Sequence, residues 1–270
     1  MNTLPPLELQ PSTTAGLLNV LHDGNNNLRP QSERLPIIGS VLGQLSLNVA
    51  CLLEFPDDEQ SVYEMAEQLN MQDYHFVKNG NRHSSGILVA GNNVEFEEIT
   101  IDKEENRTAI IAHQSGGTAV AAVHASHYLT GGAMRERQMQ ELLNRTGDLE
   151  RLMLLGDFNA LPWQRPRQML MEHGLMPAFE KFPKTFPATA AKGDLGTSKY
   201  SKYTRPLIQK YFEIFGPIAL DGSYVRGADS IEEAELISAR IEQDGTPDFV
   251  SDHHGHRVKA KWLNKQPLII

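Results

Sequence analysis

The stretch Leu154-Leu155-Gly156-Asp157-Phe158-Asn159-Ala160 decides how this chain is read. An apolar run beginning at Leu152 delivers an aspartate and an asparagine, two positions apart, to the end of what reads as a buried strand. In an extended backbone alternate side chains share a face, so Asp157 and Asn159 are expected to project together. A carboxylate beside a neutral amide suits holding a water or a phosphate next to a metal ion. The same two residue types also favour strand-to-loop turns, so the pair takes its meaning from what surrounds it.

Working outward, similar short apolar and β-branched runs recur at 16–21, 47–54, 85–90, 108–112, 119–125, 218–225 and 257–262, alongside 152–156 itself. Several are too uniformly apolar to own a polar face, which predicts strands buried on both sides. Between them lie segments with helical spacing. Residues 32–45 place Leu35, Ile38, Val41, Leu42 and Leu45 on one face, and 57–69 do the same with Val62, Met65, Ala66 and Leu69. Two more helices are expected at 133–146 and at 166–173, the latter stopping at Gly174. No repeat or long linker interrupts the order. It predicts a mixed α/β protein whose helices cover sheets packed on one another.

The bulk composition fits that class. Of 270 residues, 40% are hydrophobic and 22% charged, the balance of a globular domain. No apolar run is long enough to span a bilayer. The N-terminus has no basic start followed by an apolar core, so a cytoplasmic location is expected, with secretion after removal of a leader left open. The single cysteine, Cys51, rules out an intrachain disulfide and a cysteine-based metal cluster. Within Val49-Ala50-Cys51-Leu52-Leu53 it reads as a small hydrophobe of a strand. The net charge of −9 weighs against binding nucleic acid by phosphate neutralisation alone. It does not weigh against a nuclease whose acidic residues hold a cation, because the ion then supplies the positive field.

Further polar residues interrupt the apolar runs near their ends. Asn19 lies between Leu18 and Val20, Glu54 ends the Cys51 run, and Asp221 follows Ala219-Leu220. Asp252 and His253 stand just before the last strand. A carboxylate at the end of a buried run is costly unless paired or bound to a cation. One is commonly a cap or turn former, whereas several ending different strands point to one oxygen-ligated metal site. Of ten histidines, His253 is the acid/base or phosphate-contact candidate because it adjoins a carboxylate. His254 and His256 are expected to decorate the turn, with a transition-metal cluster as the alternative. Residues 192–210 interleave Lys192, Lys199, Lys202, Arg205 and Lys210 with Tyr200 and Tyr203. That mixture suits phosphate contact and ring stacking, and equally a solvated surface loop.

In this order the set resembles the endonuclease/exonuclease/phosphatase superfamily, the DNase I-like proteins. The resemblance runs from Asn19 through Glu54, a histidine strand, Gly156-Asp157-Phe158-Asn159, Thr185-Phe186-Pro187 and Leu220-Asp221-Gly222 to Ser251-Asp252-His253. It implies a four-layer α/β/β/α sandwich of two packed mixed β-sheets flanked by helices, with the site at one rim. Residues 15–265 would form a single catalytic domain behind a flexible segment 1–14. Carried over position by position, Glu54 would be the principal Mg²⁺ ligand, with Asn19 and Asp252 close by and Mn²⁺ or Ca²⁺ as substitutes. Asp157 and Asn159 would position water and phosphate, and His253, oriented by Asp221, would contact the phosphate. The family's central-strand histidine falls on His124 or His127, and the spacing to Arg135 and Gln138 favours His127. Arg107, Lys199 and Lys202 are the substrate-binding candidates. The reaction so implied is metal-dependent phosphodiester hydrolysis, with nucleic acid the favoured partner. Phospholipid, sphingomyelin or inositol-phosphate substrates are the alternative, and a non-catalytic scaffold a minor one.

Overall fold

Strands covered on both sides require a layer on each side, and a computed structural model of the chain supplies them. It describes residues 12–20, 30–80, 85–126, 132–185, 218–243, 246–251 and 253–262. The chain opens with β1 (Ser12–Asn19), α1 (Gln31–Gly43), β2 (Val49–Pro56), α2 (Glu59–Gln68), β3 (Asp73–Lys78) and β4 (Ser85–Gly91). A meander follows through β5 (Val94–Asp102), β6 (Arg107–Gln114) and β7 (Thr118–His124), then α3 (Gly132–Thr146), β8 (Arg151–Asp157), α4 (Arg165–Glu172) and β9 (Met176–Pro177). The last elements are β10 (Asp221–Arg226), β11 (Ala228–Ile237), β12 (Arg240–Gln243), β13 (Thr246–Phe249) and β14 (Gly255–Trp262).

Two six-stranded sheets result. The first has the order β11-β14-β1-β2-β4-β3 and the second β5-β6-β7-β8-β10-β9, with β12-β13 as a separate hairpin. Both are mixed: β1 runs parallel to β2 and β7 to β8, while the other neighbours are antiparallel. The period-two rule sorts each central strand onto two cores. Val49, Cys51 and Leu53 of β2 meet Met153 and Leu155 of β8 between the sheets. Ala50 and Leu52 face Ile38, Leu42, Val62 and Met65 of α1 and α2. Leu152 and Leu154 face Met139, Leu142, Met169 and Leu170 of α3 and α4. The layers are therefore helices, sheet, sheet, helices, as the resemblance implied. Each fully buried aliphatic side chain contributes about 1.5–3 kcal/mol, so the three cores define the strand faces.

Cys51 lies in the inter-sheet core, and burial pushes its thiol up to about 12, so it carries no nucleophile. The four helices fall where the spacing placed them, with α2 starting later because Asp58 caps it, accepting from Ser61 N at 2.8 Å.

The N-terminal boundary differs from expectation. Residues 12–14 belong to β1, pairing with Lys259–Lys261. Thr13 Oγ1 donates to Gln114 Oε1 at 2.9 Å and accepts from Trp262 Nε1 at 3.0 Å. Thr14 N donates to Asn48 Oδ1 at 2.7 Å. These partners lie 34 to 249 positions away, so a local scan reads Ser-Thr-Thr as a polar tail. Strand β11 was unread for a similar reason, since its glutamates answer cations of β14: Lys259 Nζ lies 3.1 Å from Glu232 and Arg257 Nη1 3.3 Å from Glu235. Among the described residues, no helix is long and apolar enough to cross a membrane.

Candidate active site

Three adjacent strand ends of the second sheet carry His124, Asp157 and Asp221 in one row. In the parallel pair β7–β8, His124 is the register partner of Asp157, and in the antiparallel pair β8–β10 Asp157 is the partner of Asp221. From the first sheet come Asn19, the last residue of β1, and Glu54 near the end of β2. Glu54 occupies an irregularity in the β2–β4 register between Leu53 and Phe55, with a positive φ of 51°. A bulge of this kind re-aims one side chain without moving the strand. A non-glycine residue in the left-handed region costs energy that the surroundings must offset.

The two groups meet at the rim. Asn19 Nδ2 donates to Glu54 Oε1 at 3.4 Å. His124 Nε2 stands 3.8 Å from Glu54 Oε1 and 3.9 Å from Asp157 Oδ2, joining the two sheets' carboxylates. His253 Nδ1 lies 2.8 Å from Asp221 Oδ2. The last segment is pinned in turn: His253 N donates to Ser251 Oγ at 3.1 Å, and Ser251 Oγ donates to the carbonyl of Asn19. Thr185 is fully buried and accepts at Oγ1 from Asp221 N at 3.3 Å, while its carbonyl accepts from His254 N at 3.0 Å.

Asp157 and Asn159 come together through the strand-to-loop turn that these residue types favour, and not through the expected shared strand face. Strand β8 ends at Asp157, and Asn159 has φ 47°. Asn159 N donates to Asp157 Oδ1 at 2.7 Å, a local turn in which the aspartate accepts from the backbone two residues on. Asn159 Nδ2 donates to Ala125 O at 3.1 Å, fastening the turn to the end of β7. The pair is joined through turn chemistry and not through strand alternation, because the strand stops two residues before Asn159.

The electrostatics are asymmetric. Burial, then the neighbouring Asp221 charge, pushes the Asp157 carboxyl up to about 7, against the opposing pull of His253 and of the Asn159 amide. Burial would raise Asp221 as well, but the imidazole and hydrogen bond of His253 bring it below the ordinary carboxylate range. Arg107 starts β6, and burial lowers its guanidinium pKa against the opposing charges of Glu54, Glu105, Asp157 and Asp102. Its Nε has no hydrogen-bond partner.

Asp157, Asp221 and His253 form a buried cluster whose ligand atoms lie within 4.8 Å of one another, close enough to hold a metal ion. The donors at the rim are carboxylates, the Asn19 amide and the imidazoles of His124 and His253, with no thiolate among the described residues, and the oxygen-rich part of that set suits a hard divalent cation. Asp157, pushed up to about 7 by burial and then by the neighbouring Asp221 carboxylate, marks negative charge that a cation would relieve.

Several expected residues find other places. His256 is not on a turn: it is the second residue of β14, fully buried, with Nδ1 2.9 Å from Ser223 Oγ. Burial lowers its imidazole to about 4. His75 and His113 pair with Glu98 and Glu97 on the surface. Asp252, His127, Lys199 and Lys202 lie outside the described residues, as do Phe186 and Pro187. Among the described residues, Arg135 and Gln138 of α3 both bond Ser126. Gln138 Oε1 accepts from Ser126 N at 2.9 Å and Nε2 donates to Ser126 Oγ at 2.6 Å, while Arg135 Nη1 donates to Ser126 O.

No family sequence model matches the chain, and neither does any curated protein. Solved structures do. An endonuclease/exonuclease/phosphatase family protein from Bacteroides thetaiotaomicron superposes with a TM-score of 0.69 at 14% identity, over 96% of this chain and 98% of that one. This is the endonuclease/exonuclease/phosphatase fold. D. rerio TDP2, complexed with a single-strand DNA product, is similar over 93% of this chain and 99% of its own, with a TM-score of 0.67 at 16% identity. The Bacteroides thetaiotaomicron mannosyl-6-phosphatase Bt3783 is similar over 93% and 100%, with a TM-score of 0.65 at 15% identity. Within the endonuclease/exonuclease/phosphatase fold of this chain, the polar rim is where the ends of β1, β2, β7 and β8 and the start of β10 meet.

Local reading of the sequence missed three side chains that build this rim. Asn79 bonds the carbonyl of His124 and the amide of Thr108. Arg34 of α1 and Arg167 of α4 are buried. The only signal for the arginines was a charged residue on the apolar face of an amphipathic helix: Arg34 neighbours Leu35 and precedes Ile38, and Arg167 lies three residues before Leu170.

Proposed function

We propose that this chain is a Mg²⁺-dependent phosphoesterase that hydrolyses phosphodiester bonds, with nucleic acid as the favoured substrate. The observation that carries the reading is the His253–Asp221 pair at 2.8 Å, placed against Asp157 and opposite the Asn19–Glu54 pair. Glu54, Asn19 and Asp252 would hold the ion, which when bound would offset negative charge developing on the phosphoryl oxygens.

The remaining chemistry belongs to the side chains. Asp157, with its carboxyl at about 7, is suited to take a proton from the attacking water near neutral pH. Asn159 holds that carboxylate in place through its backbone amide. Asp221 fixes His253 with Nδ1 as the protonated nitrogen, so that the ring is oriented to stabilise the phosphate as the P–O bond breaks. His124 and Arg107 line the opposite side, and Arg107 supplies the cationic contact to a substrate phosphate. The fold neighbours act on unlike molecules, a DNA strand and a mannosyl 6-phosphate by their names, so the substrate-facing loops decide which ester is cut.

The test is hydrolysis by purified protein with Mg²⁺ of plasmid DNA, RNA, sphingomyelin, a chromogenic phosphodiester and a chromogenic phosphomonoester. Asp157→Ala and His253→Ala should each lower the rate by about 10³-fold or more. Unchanged activity in both variants would sink the site, and cleavage of lipid or monoester alone would replace the nucleic-acid substrate.

A further inference from the structure

The side chain of Arg167 is fully buried, yet among the described residues it bonds no carboxylate, and it belongs to a helix on the outer layer. Its guanidinium donates to four oxygens. Nε donates to Tyr224 Oη at 2.8 Å, Nη1 to Ala219 O at 2.7 Å and to Ala160 O at 3.3 Å, and Nη2 to Asp221 O at 2.6 Å. The rings of Phe158, Phe182 and Tyr224 surround it, with Cζ 5.3, 4.9 and 5.6 Å from their centroids. Burying a cation is costly, and an apolar side chain would fill the same space without that cost. The directional bonds are what an apolar residue would lack.

Those bonds have a pattern. Ala160 follows the Asp157–Asn159 turn, while Asp221 opens β10 and Ala219 lies two residues before it. Between the two segments Phe158 N donates to Leu220 O at 3.2 Å, so Arg167 brackets the hydrogen bond that joins them. The two segments present Asp157 and Asp221 as register partners, and like charges directly opposite each other destabilise a strand pair. Gly222 completes the arrangement, because a Cβ there would lie 2.0 Å from Arg167 Nη2.

We propose that Arg167 is a positioning residue that locks the Asp157–Asn159 turn to the start of β10 and so sets the spacing between Asp157 and the Asp221–His253 pair. The inference rests on the phosphoesterase reading for its catalytic consequence, but not for the lock itself. Lysine keeps the charge, but its single nitrogen lacks the planar fork that holds Tyr224 Oη, Asp221 O, Ala219 O and Ala160 O together. Arg167→Lys should lower kcat 10- to 100-fold with KM within about twofold, since the lock touches no substrate. Gly222→Ala, which retains the arginine but crowds its Nη2, should reproduce the effect more weakly. Millimolar guanidinium should restore part of the kcat of Arg167→Ala and none of that of Asp157→Ala.

A readout independent of activity accompanies these rates. Backbone amide exchange over residues 158–161 and 219–222 should accelerate at least tenfold in Arg167→Lys, with β2 and α1 unchanged. Wild-type exchange in that variant overturns the lock, whatever the activity. Accelerated exchange in a protein whose wild type hydrolyses no phosphoester keeps the lock and sinks the phosphoesterase reading. An active wild type whose Arg167→Lys variant retains full kcat, or loses kcat only in proportion to its folded fraction, overturns the positioning role alone.

Discussion

In the first sheet Glu54 reaches the rim from a bulge and keeps 16% of its side chain exposed; in the second, Asp157 and Asp221 are partners in regular pairing and keep 3% and 1%. The difference divides the labour. In the proposed reading, a bulged residue turned towards the rim would meet a hydrated cation without unpacking the strand. Paired residues are rigid and enclosed, where burial shifts their protonation and a neighbouring histidine can be held in one orientation. Behind each half stands an arginine from the covering helix. Arg34 Nη1 donates to Val20 O at 2.7 Å and Val250 O at 3.0 Å, next to Asn19 and to the Ser251–His253 segment, as Arg167 does beside Asp157 and Asp221. Both sheets use a buried guanidinium to tie strand ends to the segments beside them.

The sharpest way to break this division is to neutralise one carboxylate in each half. Glu54→Gln and Asp221→Asn should each lose on the order of 10³-fold in rate. Raising Mg²⁺ tenfold should recover part of the Glu54→Gln loss, because that variant binds the ion more weakly. It should recover none of the Asp221→Asn loss, because orientation of His253 does not titrate with the ion. The opposite pattern, measured as rate against Mg²⁺ concentration, would place the cation in the second sheet, on the Asp157, Asp221 and His253 cluster.

A smaller effect tests the contact between the halves. His124→Ala should cost roughly 10- to 100-fold, since the imidazole stands within 4 Å of a carboxylate from each sheet. His127→Ala should change the rate less than about threefold. A larger loss from His127→Ala would return the role to the histidine that sequence spacing favours.

The legibility of the chain follows the same division. Sheets buried on both faces write themselves as apolar runs, which is why β2, β4, β7 and β8 and all four helices could be read locally. The carboxylates were legible because each ends such a run. Strand β11 and the first residues of β1 were not, since their partners are charges, side-chain amides or an indole outside the local sequence. The bulge at Glu54 left no local mark, because nothing in Leu53-Glu54-Phe55 demands a positive φ. Arg34 and Arg167 were illegible for the reason that makes them useful: their acceptors are backbone carbonyls, which every residue has.

The last test concerns stability and separates the enclosed half from the open one without reference to catalysis. With the Asp157 carboxyl raised to about 7, against roughly 3.9 in an unfolded chain, the folded state holds that proton more tightly than the unfolded state does. The favourable contribution is complete below about pH 4, is lost as pH rises through 7, and leaves a destabilised fold above it. In the absence of metal, Asp157→Asn should therefore be more stable than wild type at pH 8 by about 1–3 kcal/mol, with the gap closing towards pH 4. Urea denaturation in the presence of a chelator measures it. Glu54→Gln, in the open half, should gain less than half as much under the same conditions, because water already screens its carboxylate. Saturating Mg²⁺ should narrow or reverse the Asp157→Asn advantage, since the wild-type carboxylate then faces a cation. Equal gains from the two substitutions would show that the carboxylates share one dielectric environment, and the contrast drawn between the sheets would fail.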